Sequence, residues 1–230
     1  MNPSLISLRD VGMGYGGPEV LTGVTMDVPR GQIVALVGRN GAGKSTLLRT
    51  MRGFLSPSHG TVLIKGRSAA SFQPGALAAA VGFLSPATPQ SHITVDEVME
   101  LSSLGRLPSL DAFLASDHPA VFSEVYTFGR RFMDAMSSGQ QRKVMLLALV
   151  AQWTDVLLMD EPELHLDLPS LRSLYALIRW ATARGKSVVL STHNLETIRT
   201  LPDRLYMVKA RSVCEVSRSE ETIEALFEDE

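Results

Sequence analysis

"QIVALVGRNGAGKST", Gln32–Thr46, decides the fold. Its first half is a continuous apolar run, the pattern of a strand covered on both faces. Its second half matches G-x-x-x-x-G-K-S/T and leads into a helix pattern from Lys44 to about Gly53. Strand, glycine loop and helix in that order make a cradle for phosphates. The glycines let backbone N–H groups wrap the anion, and the helix N-terminus adds partial positive charge. Gly38, Asn40, Gly41, Ala42, Gly43, Lys44, Ser45 and Thr46 are therefore the candidate nucleotide-binding residues. Lys44 would reach the β- and γ-phosphates, and the Ser45 hydroxyl would coordinate Mg2+.

A nucleotide site of this kind needs a second strand whose end holds an acid near the magnesium. "VLLMDEPELHLDLP", Val156–Pro169, supplies it: an apolar run ends in Asp160 and Glu161, and Pro162 stops the strand. Asp160 is the candidate metal ligand. Glu161 is placed to orient and polarise an attacking water.

Further apolar runs, "AVGFLS", "DVLLMD" and "SVVLST", alternate with helical patterns, which predicts an α/β domain with a largely parallel core sheet. Between Pro169 and Gly185, Leu171, Leu174, Ile178 and Ala181 recur at helical spacing. The first thirty residues differ: "LISLRDVGMGY" and "VLTGVTMDV" alternate and are joined by the glycine-rich "GYGGPE". "SPSHG" reads as a turn and "TVLIKG" as another strand. From about Ser85 to Ser137 the chain is helix-like and interrupted by Pro and Gly, a small helical insertion in which Thr94 is an N-cap with acids in the first turn. The acidic tail "SRSEETIEALFEDE" reads as a terminal helix.

Composition narrows the class. A chain of 230 residues with 45% hydrophobic and 20% charged residues can bury a core, and disorder is not expected. A formal net charge of −2 gives no sign of a nucleic-acid surface. The one cysteine, Cys214, excludes a disulfide framework and is expected to act as a small apolar filler in a reducing compartment. No signal peptide is visible, and no stretch is long enough to span a bilayer. "VMLLALVAQW", Val144–Trp153, is short, follows Arg142 and Lys143, and reads as a buried helix.

With these motifs in place, almost the whole chain resembles an ABC-transporter ATPase subunit. "MSSGQQRK", Met136–Lys143, is similar to the family's LSGGQ signature, with Met136 and Ser138 in place of the usual Leu and Gly. The resemblance implies that Ser137, Ser138, Gly139 and Gln140 act on the ATP held by a second subunit. "LHLD", Leu164–Asp167, resembles the D-loop, which places Asp167 at the dimer interface, and "STHN", Ser191–Asn194, puts His193 at the switch histidine. Tyr15 matches the aromatic that stacks on adenine, although it also suits an ordinary turn. One departure concerns the glutamine that the family sets near magnesium. "VGFLSPATPQ" has Pro86 there, and Gln90 is the nearest substitute.

The resemblance implies one ABC ATPase domain over 1–230: a P-loop NTPase core with a parallel sheet, an N-terminal antiparallel β subdomain and a helical insertion at about 85–140. It implies ATP and Mg2+ as cofactors, with Glu161, His193 and Lys44 catalytic. The partners would be a second ATPase subunit in a homodimer, a multi-span permease and an extracytoplasmic substrate-binding protein, at the cytoplasmic face of the membrane and without nucleic acid. A groove for a permease helix is expected between Ser85 and Leu107. "HLDL", "TVDEVMELSSLGRLP" and "STHNLETIRTLPDRLYMV" are similar to the branch that imports ferric siderophores, haem and cobalamin. Glu163, where Thr or Ser is usual, and a short insertion depart from it. An exporter ATPase, a soluble ABC-type ATPase and a slow nucleotide switch are the alternatives.

Overall fold

The computed structural model describes residues 4–87, 92–102, 121–152 and 154–225. The chain begins with β1 (Ser4–Met13) and β2 (Leu21–Pro29), an antiparallel pair that sets Ile6 opposite Val28 and Leu8 opposite Met26. Then come β3 (Ile33–Val37), α1 (Lys44–Met51), β4 (His59–Ile64), β5 (Arg67–Ser68), α2 (Pro74–Ala80) and β6 (Val81–Leu84). α3 (Val95–Ser102), α4 (Ser138–Ala151), β7 (Val156–Asp160), α5 (Leu168–Ala183) and β8 (Ser187–Ser191) follow. α6 (Leu195–Thr200), β9 (Arg204–Lys209), β10 (Ser212–Val216) and α7 (Glu220–Ala225) complete the described chain.

Two sheets form among the described residues. The first is antiparallel, in the order β2-β1-β4-β5. The second runs β10-β9-β3-β8-β7-β6 and is parallel except for β10. Every residue of β3, β7 and β8 is buried, as their unbroken apolar sequences require. Their side chains divide by the two-residue period of a strand. Ala35, Val37, Leu157, Met159, Val188 and Leu190 enter a core shared with α4 and α5. Val34, Leu36, Val156, Leu158 and Val189 enter a second core shared with α1 and the antiparallel sheet. Each fully buried Val or Leu contributes about 1.5–3 kcal/mol relative to exposure.

This layering aligns the strand ends. Asp160, last in β7, pairs in register with Ser191, last in β8, and Ser191 pairs with Leu36 of β3. The loops after β3, β7 and β8 therefore leave one edge of the sheet together, the carboxyl edge where parallel sheets place ligands.

In the insertion, α3 starts at the expected cap: Glu97 N–H donates to Thr94 Oγ1 at 3.3 Å, and the Glu97 carboxylate accepts from Thr94 N–H at 2.7 Å. α3 lies against α4, and 3-10 turns occupy Ser123–Thr127 and Met133–Ala135. Some details differ from the sequence reading. β4 begins at His59, so the turn before it is shorter than "SPSHG". α1 ends at Met51 because Gly53 takes a φ of 77°. Cys214 is exposed on the outer strand β10, not a core filler. α2, α6 and the β9–β10 hairpin were not expected.

Candidate nucleotide site

The loop from Gly38 to Gly43 needs its glycines for different reasons. Gly38 has φ 148°, and a Cβ there would lie 2.3 Å from the carbonyl oxygen of Val208. Gly43 has φ 110° and is the residue before α1, so the first N–H groups of that helix open onto the loop. Lys44 is 5% exposed, and its Nζ donates to the carbonyls of Gly38 at 2.6 Å and Arg39 at 3.1 Å. Burial pushes the ammonium below the usual lysine range, against the nearby charges of Glu161 and Asp160. The three groups therefore sit in one electrostatic environment.

Asp160 is 1% exposed. Its Oδ1 accepts from the Ser191 hydroxyl at 2.5 Å, and its Oδ2 is buried with no partner among the described residues. A buried carboxylate oxygen without a donor is costly. It suits a hard divalent cation, which takes carboxylate and hydroxyl oxygens, so the donor set of Asp160 with Ser45 fits Mg2+. α1, which carries Ser45, lies against β7, which carries Asp160.

Glu161 follows in a left-handed conformation, φ 48°. Its N–H donates to Ser191 Oγ at 3.0 Å, and its Oε1 lies 3.6 Å from Nδ1 of His193. Gly38, Asn40, Glu161, His165 and His193 line one open cleft of about 840 Å³. Tyr15 is 59% exposed near α1, its hydroxyl 3.4 Å from Thr46 Oγ1 and accepting from Arg49 at 3.1 Å. The Thr46 contact is the main cause that lowers its phenol pKa. The ring is thus tethered at its tip with most of its surface in solvent, as a stacking platform requires.

The signature residues behave differently. Ser137 caps α4: its Oγ accepts from Gln140 N–H at 3.3 Å, and Gln140 Oε1 accepts from Ser137 N–H at 3.2 Å. The cap uses an acceptor of the hydroxyl and leaves its proton available to an anion. Ser137, Ser138, Gly139 and Gln140 do not line the cleft that Gly38 and Glu161 share. Gly139 instead approaches the D-loop, where an added Cβ would meet the His165 carbonyl at 2.9 Å. Asp167 caps α5 by accepting from Ser170 N–H at 3.0 Å, which holds its carboxyl below the ordinary aspartate range. Gln90 lies outside the described residues.

Two residues at this site escaped the sequence reading. Arg142 is 1% exposed and donates to the backbone carbonyls of Ser85, Asp160, Glu161 and Pro162. Glu163 was noted only as a departure. Its Oε1 accepts from the Thr192 hydroxyl, Oε2 is buried and unpartnered among the described residues, and burial pushes its carboxyl up.

Comparison with known proteins identifies the family. The family model described as ABC transporter matches residues 21–163. The Hemin import ATP-binding protein HmuV of Rhizobium meliloti is 32% identical over 97% of this chain and 91% of its own. The Probable siderophore transport system ATP-binding protein YusV of Bacillus subtilis is 28% identical over 97% of this chain and 84% of its own. A solved structure titled "Structure of ATP binding subunit of ABC transporter" superposes with a TM-score of 0.84 at 27% identity, covering 93% of this chain and 90% of that one.

Proposed function

The chain belongs to the ABC transporter family and is an ATP-binding, ATP-hydrolysing subunit of such a transporter; from that premise we propose that two copies close head to tail on two Mg-ATP and drive a permease. The carrying observation is the loop that opens α4: Ser137 caps the helix through an acceptor of its hydroxyl, and Ser137, Ser138, Gly139 and Gln140 are not among the residues that line the cleft of Gly38 and Glu161. A loop with an available hydroxyl proton and helix N-terminal amides can serve the ATP of another copy.

In this reading Gly38–Thr46 wrap the phosphates, Lys44 stabilises charge on the β- and γ-phosphates, and Tyr15 stacks on adenine. Ser45 and Asp160 hold Mg2+, which neutralises the developing charge on the phosphates when bound. Glu161 orients the attacking water, and His193, 3.6 Å from it, faces the γ-phosphate. Ser137, Ser138, Gly139 and Gln140 serve the partner's ATP, with Asp167 beside them at the interface. The chain is one ABC ATPase domain over 1–230 with its insertion at about 85–140.

Ser137→Ala is expected to lower stability by about 1 kcal/mol through the lost cap. It should weaken ATP-driven dimerisation by about tenfold, the scale of one hydrogen bond to a charged group. Thermal melting and sedimentation with Mg-ATP check both. Loss of stability alone would confine Ser137 to its cap.

No helix among the described residues is long and apolar enough to cross a membrane. Docking on a permease at the cytoplasmic face is supported by an apolar groove of about 280 Å³ between α3, α4 and β6, lined by Phe83, Ile93, Val98, Leu101 and Met145. Leu101 is 67% exposed at its rim. Leu101→Asp is expected to abolish co-purification with a multi-span membrane protein while basal ATPase stays within about twofold, since distant surface sites act independently. Retained co-purification would remove the groove from the account. The names of the relatives support uptake of haem or an iron chelate, with an extracytoplasmic binding protein delivering the cargo.

A further inference from the structure

We propose that Arg142 is a positioning residue for hydrolysis: its buried guanidinium holds the turn that carries Glu161 and ties it to the signature helix and to the end of β6. The proposal rests on the reading of Glu161 as the carboxylate that orients water.

The case begins with the turn. Glu161 has φ 48°, a left-handed conformation that costs a non-glycine residue about 1–2 kcal/mol. Such a residue persists only when its surroundings over-determine it. Arg142 supplies much of that restraint. Its Nη2 donates to the carbonyls of Asp160 at 3.0 Å and of Glu161, and its Nε donates to Pro162 at 3.1 Å. Three consecutive carbonyls are thus gathered on one planar cation. Its Nη1 donates to Ser85 at 2.6 Å, just beyond β6.

The connections explain why an arginine is needed. The guanidinium presents its donors in a fixed fork, which a lysine ammonium cannot reproduce. Arg142 stands in α4, the helix that Ser137 caps, and so joins three segments far apart in sequence. It also meets the chain immediately before Pro86, a residue with no side-chain donor and no N–H. The cross-link between the end of β6 and the Glu161 turn therefore comes from α4. Burial lowers the guanidinium pKa to about 10, against the charges of Glu163, Asp160 and Glu161, so it stays a cation at neutral pH. A shift of the signature helix would move the Glu161 backbone directly.

The test uses the full chain and the variants Arg142→Met, Arg142→Lys, Glu161→Gln and Arg142→Met with Glu161→Gln. Arg142→Met is expected to lower kcat for Mg-ATP by about 10–100-fold with KM within about threefold, and Arg142→Lys to recover only part of the rate. Because Arg142 acts through Glu161, adding Arg142→Met to Glu161→Gln should change residual single-turnover hydrolysis by less than about threefold. Amide hydrogen exchange at Asp160, Glu161 and Glu163 should rise in Arg142→Met while the cores keep their protection. A kcat within about threefold of the parent, or an undiminished loss in the Glu161→Gln background, would overturn the proposal. If Arg142→Met does not fold, Arg142→Lys decides: a kcat loss at unchanged KM and melting temperature supports the role, and unchanged kcat overturns it. If Glu161→Gln alone leaves hydrolysis intact, the reading of Glu161 fails. Amide exchange then still judges whether Arg142 holds the turn.

Discussion

Glu161→Gln lowers the steady-state Mg-ATPase rate by about 10²–10⁴-fold, the range for losing a positioned general base, and leaves ATP affinity within about threefold. The reason is local. Glu161 is held at its N–H by Ser191 and at its carbonyl by Arg142, so the amide takes the place of the carboxylate without moving the turn. The amide still fills the space beside His193 but cannot accept a proton from water. In the proposed reading nucleotide binding rests on Gly38–Thr46 and is untouched. Phosphate release at saturating Mg-ATP, together with equilibrium nucleotide binding, checks the result. A variant that hydrolyses at the parent rate would remove Glu161 from the chemistry. A variant that loses binding and rate together would make it structural.

Lys44→Ala is expected to weaken ATP binding by about 100-fold, near 2.7 kcal/mol, the scale of one or two charge-assisted hydrogen bonds. Lys44 is buried between the loop it belongs to and the Asp160 and Glu161 carboxylates. Its ammonium now spends its protons on the Gly38 and Arg39 carbonyls, so it is folded back over the loop that phosphates would fill. Exchanging those carbonyls for phosphate oxygens turns two neutral acceptors into charged ones, which is where the binding energy comes from. Alanine forfeits that exchange and removes a cation that interacts with both acidic groups, which adds repulsion toward the nucleotide. Isothermal titration with Mg-ATP and Mg-ADP reads the loss directly. Equal affinity in parent and variant would show that backbone amides alone hold the phosphates.

The parallel core was legible because strands buried on both faces must be apolar throughout, and "IVALV", "VLLMD" and "SVVLS" are. The glycine loop before Lys44 was legible because positive φ at Gly38, Gly41 and Gly43 calls for glycine at those positions. The β9–β10 hairpin was missed because β10 is exposed along most of its length, so "SVCEV" lacks the apolar signal of a core strand. The same exposure explains Cys214, whose small size suggested a core position that the outer edge of the sheet does not offer. α2, "PGALAAA", is too short and too poor in large apolar residues for its period to show. Arg142 was seen only as a charge beside an apolar helix. Its acceptors are main-chain carbonyls at positions 85 and 160–162, and a carbonyl leaves no trace in residue type. Glu163 was visible as an odd residue, but its bond to Thr192 needed the register of β7 on β8 to appear.

Sedimentation velocity of Glu161→Gln with and without Mg-ATP tests the central claim most directly. The account predicts that Mg-ATP converts the chain to a species of twice the 25.0 kDa of one copy, that removing the nucleotide reverses this, and that adding Ser137→Ala weakens it by about tenfold. A variant that stays at the mass of one copy under saturating Mg-ATP would contradict the two-chain sandwich and the role of the signature loop in it.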